Sequence, residues 1–145
     1  MRQLRVRFKS RLTLMSDLPS PIKSLKGALE IFAKDLESTP ERAFSESLGS
    51  KARTVSDIAH EVCLVNDHVC RTMTGEPLFD WPEGWVKAPP ELTTKEAAIA
   101  AFALCQSKTL ATVEGWSDED LAIKVQTEFG ERDRAESCRF MALHL

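Results

Sequence analysis

Thr54 to Thr74 reads TVSDIAHEVCLVNDHVCRTMT, and the spacing of its apolar residues decides the fold class. Val55, Ile58, Val62, Val65 and Val69 recur three and four positions apart, which lays one apolar stripe down an amphipathic helix. Thr54 supplies an N-cap, and Asp57, three residues on, sits where a capping-box acid would answer it. At about 100° per residue, His60 falls off the valine stripe, on a second flank with Ser56, Cys63, Leu64 and Asp67. Only a narrow arc, Asp57, Glu61, His68 and Arg71, is left for solvent. A helix that touches neighbours on most of its circumference is expected at the centre of a bundle, with its polar flank toward a site between helices.

Outward from that helix, the 145 residues amount to one domain with room for a real core. No apolar run approaches the roughly 18 to 20 residues of a membrane span. Net charge is -3, yet Arg2, Arg5, Arg7, Lys9 and Arg11 all precede Met15 and every acid follows Ser16. Without those five, 14 basic residues face 22 acidic ones, a balance of -8. An acidic body without a basic face argues against nucleic-acid binding. Cys63, Cys70, Cys105 and Cys138 form no C-x-x-C and fall inside predicted helices, so reduced, buried thiols in a cytoplasmic protein are expected.

Residues 1–14 alternate Leu4, Val6 and Phe8 with Arg5, Arg7 and Lys9, too short and too interrupted for a secretory core. They read either as an ordered basic arm or as sequence upstream of a start at Met15, so the domain is placed at 15–145. Ser20 and Pro21 open a first helix, in which Ile22, Leu25, Leu29, Phe32 and Leu36 keep helical spacing to about Glu37. Thr39-Pro40 ends it, and Pro40 can open a short turn through Phe44. After the central helix comes GEPLFDWPEGWVKAPPEL, Gly75 to Leu92, rich in proline and carrying Phe79, Trp81 and Trp85. A connection of this length is either a crossover strap whose aromatics cap the core or a lid beside the site.

Thr93 with Glu96 forms a capping box for an alanine-rich third helix, in which Ile99, Phe102, Gln106, Leu110 and Val113 keep helical spacing up to Glu114-Gly115. Ser117 caps only a short turn. Val125, Thr127 and Phe129 then alternate up to Gly130, in a second long connection. From about Arg132 a fourth helix places Ala135, Cys138, Ala142 and Leu145 in register, with His144 inside its apolar arc beside Ser137, Phe140 and Met141.

His60 and His144 are therefore the two inward histidines, and a neutral imidazole is the commonest metal ligand. His68 falls in the solvent arc. Asp67 shares the flank of His60 but lies roughly 10 Å along the axis, too far for one ion, whereas Cys63 could reach it or simply fill core space. Nucleophilic catalysis by Cys63 with His60 finds no oxyanion signal, and no G-x-S-x-G, phosphate loop, Rossmann cluster or H-E-x-x-H is present.

The order of these elements, with S-D-I-A-H-E-V opening the second helix, a long aromatic loop, an alanine-rich helix and a last helix reaching His144, resembles the DinB-like superfamily over about Met15 to Leu145. The resemblance implies an all-α four-helix bundle with long crossover connections that binds zinc or nickel between helices. It implies one ligand from the second helix, matched by His60, and an H-x-x-x-H on the fourth, whose first member His144 matches. The second member would lie beyond Leu145, and the fourth helix is expected to be cut short. By resemblance the function is a metal-dependent S-transferase or hydrolase acting on a thiol or thiol adduct, in a homodimer. The competing expectation is a non-catalytic helical-bundle module for binding or dimerisation.

Overall fold

The structure is a computed structural model that describes residues 19–47, 49 and 51–145. The basic segment 1–14 and the first residues of the expected domain lie outside the described residues. The described chain is predominantly helical, as expected, with one two-stranded hairpin added.

The first helix, α1, spans Pro21–Ser38 after Ser20, and its C-cap Thr39 is extended because Pro40 follows. A 3-10 turn, Glu41–Phe44, then buries Phe44 completely. Helix α2, Val55–Thr74, begins with the full capping box of Thr54 and Asp57 and ends at Gly75, whose φ of 75° is the left-handed conformation a glycine takes without strain. A 3-10 turn at Pro90–Leu92 leads into α3, Lys95–Val113.

The cap of α3 lies one residue later than expected. Thr94 accepts the Ala97 N–H, whereas Thr93 donates its hydroxyl to the Pro90 carbonyl. Lys95 at the start of α3 also closes the end of α1. Its Nζ donates to the carbonyls of Glu37 and Thr39 at 2.7 and 2.8 Å, which satisfies orphan C-terminal acceptors with a cation.

A short helix, α4, Asp118–Leu121, carries its own capping box of Ser117 and Asp120. The stretch expected as a second long connection is instead an antiparallel hairpin. Strand β1, Lys124–Thr127, pairs with β2, Gly130–Asp133, in the register Lys124↔Asp133 to Thr127↔Gly130. Gly130 at φ 105° makes the turn possible after Phe129. Helix α5, Arg134–His144, follows directly, with Asp133 and Glu136 as a third capping box.

Helix α1 packs against α3 and α5, and α2 packs against the same two helices. Leu25, Leu29 and Leu36 of α1, Val62 and Met73 of α2, Phe102 and Val113 of α3, and Cys138 and Met141 of α5 meet in one core. The Phe32 and Phe102 rings meet edge to face at 4.8 Å between α1 and α3. No helix among the described residues is long and apolar enough to cross a membrane.

The buried stripe of α2 is wider than the valine stripe and turned away from Ile58. Val62 and Val65 are buried and Val55 and Val69 pack against the core, but burial extends through Ser56, Ala59, Asn66, Cys70 and Met73, while Ile58 is 40% exposed. Small residues explain the rotation. Ser56 and Ala59 face Ala98 and Ala101 of α3, and side chains of that size let two backbones approach closely.

A candidate small-molecule site under an aromatic strap

The arc of α2 expected to face solvent instead holds the proline-rich segment Gly75 to Leu92. The segment runs back along the helix as a strap. At its near end Arg71 donates to the Pro77 carbonyl at 3.0 Å and lies over the Phe79 ring at 6.0 Å, with its Nε on Asp67 at 2.8 Å. His68 meets Phe79 and Trp81 edge-on at 5.5 and 5.9 Å.

At the far end the Ala88 N–H donates to Asp57 Oδ1 at 2.8 Å, Val86 is buried, and Arg53 lies over the Trp85 ring while pairing with Glu61 at 2.6 Å. Asp57, Glu61, His68 and Arg71 thus all serve the strap, directly or through Arg53. The aromatics do not cap the core end. They lie along the side of α2, and Trp85 remains 68% exposed.

Between the strap, α2, the hairpin and α5 is a cavity of about 410 Å³. Val65, Val69, Leu78, Trp81, Phe129 and Phe140 give it a mainly apolar wall. Its size falls in the range of small-molecule pockets, roughly 300–1,000 Å³. The hydroxyls along its rim are already engaged: Thr72 donates to the His68 carbonyl, Thr127 to that of Gly130, and Ser137 to that of Asp133.

Two polar groups stay available to an anionic ligand, while Glu128, a carboxylate, also lines the cavity. His68 Nδ1 is buried and has no hydrogen-bond partner, an arrangement that costs free energy until something fills it. Arg132 lies between the rings of Phe129 and Phe140 at 5.6 and 5.7 Å and makes no ion pair among the described residues. A guanidinium held between two aromatic faces is oriented for a planar anion.

Of the two expected metal ligands, one lies between helices and the other is exposed. His60 lies in a small groove with Ser56, Cys63, Ala98 and Ala101, between α2 and α3. His144 is not inside the apolar arc of α5 as expected. It is exposed and stacks on Phe140 at 6.0 Å. The buried positions of α5 are Ser137, Cys138 and Met141, a stripe centred far enough toward Cys138 to leave Phe140 and His144 on its flank. Among the described residues no group of three or more His, Cys, Asp or Glu is placed to hold one ion.

His68, assigned to solvent by periodicity, is the histidine that lines the apolar cavity, and Arg132 was not singled out at all. The density of aromatic residues in Gly75 to Leu92 was the available signal, since such side chains must lie against something. The flank of His60 does face a neighbouring helix, as the pattern indicated, but that helix is α3. There Cys63 lies against Cys105, and both thiols line a second, open-sided cavity. Comparison of the chain with family models and with curated proteins finds no match.

Proposed function

We propose that this chain is a DinB-like four-helix bundle with long crossover connections, and that it binds a small molecule with an apolar ring body and an anionic group under the strap. The observation that carries this reading is the pairing of an apolar cavity with two unengaged polar groups, His68 Nδ1 and Arg132. The apolar wall takes the ring body, Arg132 pairs with the anion, and His68 Nδ1 recovers a partner.

The probe that tests it is anilinonaphthalene sulfonate, an aromatic anion. We expect one probe per chain, with quenching of tryptophan fluorescence because Trp81 forms part of the wall. Thr72→Trp, which fills the cavity, should abolish binding. Arg132→Met should weaken it by roughly tenfold or more, the effect of losing one charge-assisted contact. Undiminished binding in both variants would place the probe elsewhere and defeat the reading.

The DinB-like resemblance supports a second reading, a zinc- or nickel-dependent S-transferase or hydrolase. His60 lines the groove between α2 and α3, whereas His144 is exposed and stacks on Phe140. The α2 histidine on the side of α5 is His68, which lines the cavity with Phe140, the ring on which His144 stacks. If zinc or nickel copurifies, His68→Ala is expected to lower the metal content and His60→Ala to leave it unchanged, as measured by elemental analysis. Metal lost on His60→Ala alone would restore the pair expected from sequence.

A further inference from the structure

On the opposite side of α2 from the hairpin, the cavity between α2 and α3 has a volume of about 630 Å³ and is lined by Cys63, Cys70 and Cys105. Two observations mark Cys105. Cys63 lies beside it on the facing helix, lining the same cavity. Asn66, only 1% exposed, directs its amide Nδ2 at Cys105 Sγ at 3.8 Å, and its Oδ1 is buried without a partner.

A buried amide whose side chain bonds only to sulfur is uncommon in a core, and an amide N–H held on a sulfur favours its thiolate form. Among the described residues no other thiol receives a side-chain amide. Hydrogen bonding to Cys105 pushes the Cys63 thiol up, with burial adding to it, while burial pushes Cys70 and Cys138 up to about 11. Cys105 is shifted down, first by the hydrogen bond from Cys63 and then by Asn66 and Thr109, against the opposing effect of burial.

We propose that Cys105 and Cys63 form a dithiol site between α2 and α3 that reduces a low-molecular-weight disulfide, with Cys105 as the attacking thiolate and Cys63 as the resolving thiol. The cavity is wide enough for such a molecule. At its edge Lys108, which makes no ion pair among the described residues, offers a charge for a carboxylate.

In the first step Cys105 attacks one sulfur of R–S–S–R. A Cys105–S–S–R bond forms, the original S–S bond breaks, and RS⁻ leaves and is protonated from solvent. Cys63 then loses its proton, attacks the Cys105 sulfur and expels the second RS⁻, which is protonated in turn. Two protein thiols are oxidised by two electrons to one disulfide, and the small disulfide is reduced to two thiols. Ala59, Ala98 and Ala101 line the same groove between the helices as Cys63, and side chains of that size let two backbones approach closely.

Oxidised glutathione, incubated with the full chain at native conditions, tests this. Peptide mapping of the wild-type protein should show a Cys63–Cys105 disulfide, reversed by dithiothreitol, with two equivalents of glutathione released and no lasting adduct. Cys70 shares the tryptic peptide of Cys63, so fragmentation must assign the bridged residue. Cys63→Ser should accumulate a stable glutathione adduct on Cys105, and Cys105→Ser should react roughly tenfold or more slowly. A bridge that uses Cys70, a stable adduct in the wild-type chain, or a bridge that forms only in urea overturns the proposal. The wild-type map needs no variant, so misfolding of either serine variant leaves the test intact.

Discussion

Replacing Phe102 by alanine is expected to lower the unfolding free energy by about 3–5 kcal/mol. Phe102 is 1% exposed and sits in the core where α3 meets α1, its ring edge-on to Phe32. Alanine leaves most of that ring volume empty, because the surrounding leucines and methionines belong to four different helices and cannot all move in at once. A domain of this size has about 5–15 kcal/mol in total, so the variant should lose a large share of its stability and about 10–20 °C of melting temperature. Phe129, at the hairpin turn and 68% exposed, is the control. Phe129→Ala should stay within about 0.5 kcal/mol of wild type. Urea unfolding of the two variants compares them directly. Equal losses would mean that α1 and α3 do not meet through Phe102.

The second large effect is expected at Asp57, which joins the start of α2 to the far end of the strap. One oxygen accepts the Thr54 N–H to complete the capping box, and the other accepts the Ala88 N–H. Asp57→Ala removes a cap worth about 0.5–2 kcal/mol and also leaves Ala88 without its partner. The strap should then open more often, and tryptic cutting at Lys87 should rise by roughly tenfold for each 1.4 kcal/mol lost locally.

The same contact carries a pH signature. Burial alone would raise the Asp57 carboxyl, but the N–H groups of Ala88 and Thr54, the Thr54 hydroxyl and the charge of Lys87 outweigh it and hold the group below its usual 3.8. A folded value below the unfolded one means the contribution is fully present above the unfolded value. It is lost as pH falls through the folded value, in the range below about pH 4. Strap protection in the wild type should therefore fall on acidification through that range. Asp57→Asn, which keeps an acceptor for Ala88 but cannot titrate, should lose this dependence. If the asparagine variant follows the wild-type profile, another group sets the strap.

These contacts also separate what could be read locally from what could not. Ser20-Pro21, Thr39-Pro40, the Thr54–Asp57 box, Gly75, Gly115 and Ser117 marked element ends to within a residue or two, because caps and breakers act through the backbone of their own neighbours. Thr93 was misjudged for Thr94 since two adjacent threonines offer the same side chain. The hairpin was visible as an alternation in Val125, Thr127 and Phe129, but pairing needed a partner strand that carries the charged sequence Gly130–Asp133.

Faces were a different matter. Periodicity in α2 reports which residues are apolar, and that places the valines correctly on a helix. It does not report which neighbour comes closest, and α3 came closest to the small residues Ser56 and Ala59. Nor does it report cover supplied by a segment without periodicity of its own. The strap turned a solvent arc into an interface and enclosed His68 Nδ1 beside an apolar cavity. From Thr54 to Thr74 the sequence by itself determined a capped helix at the centre of the fold. Only the tertiary structure decided what each side of that helix does, because burial depends on partners that lie far away in the chain.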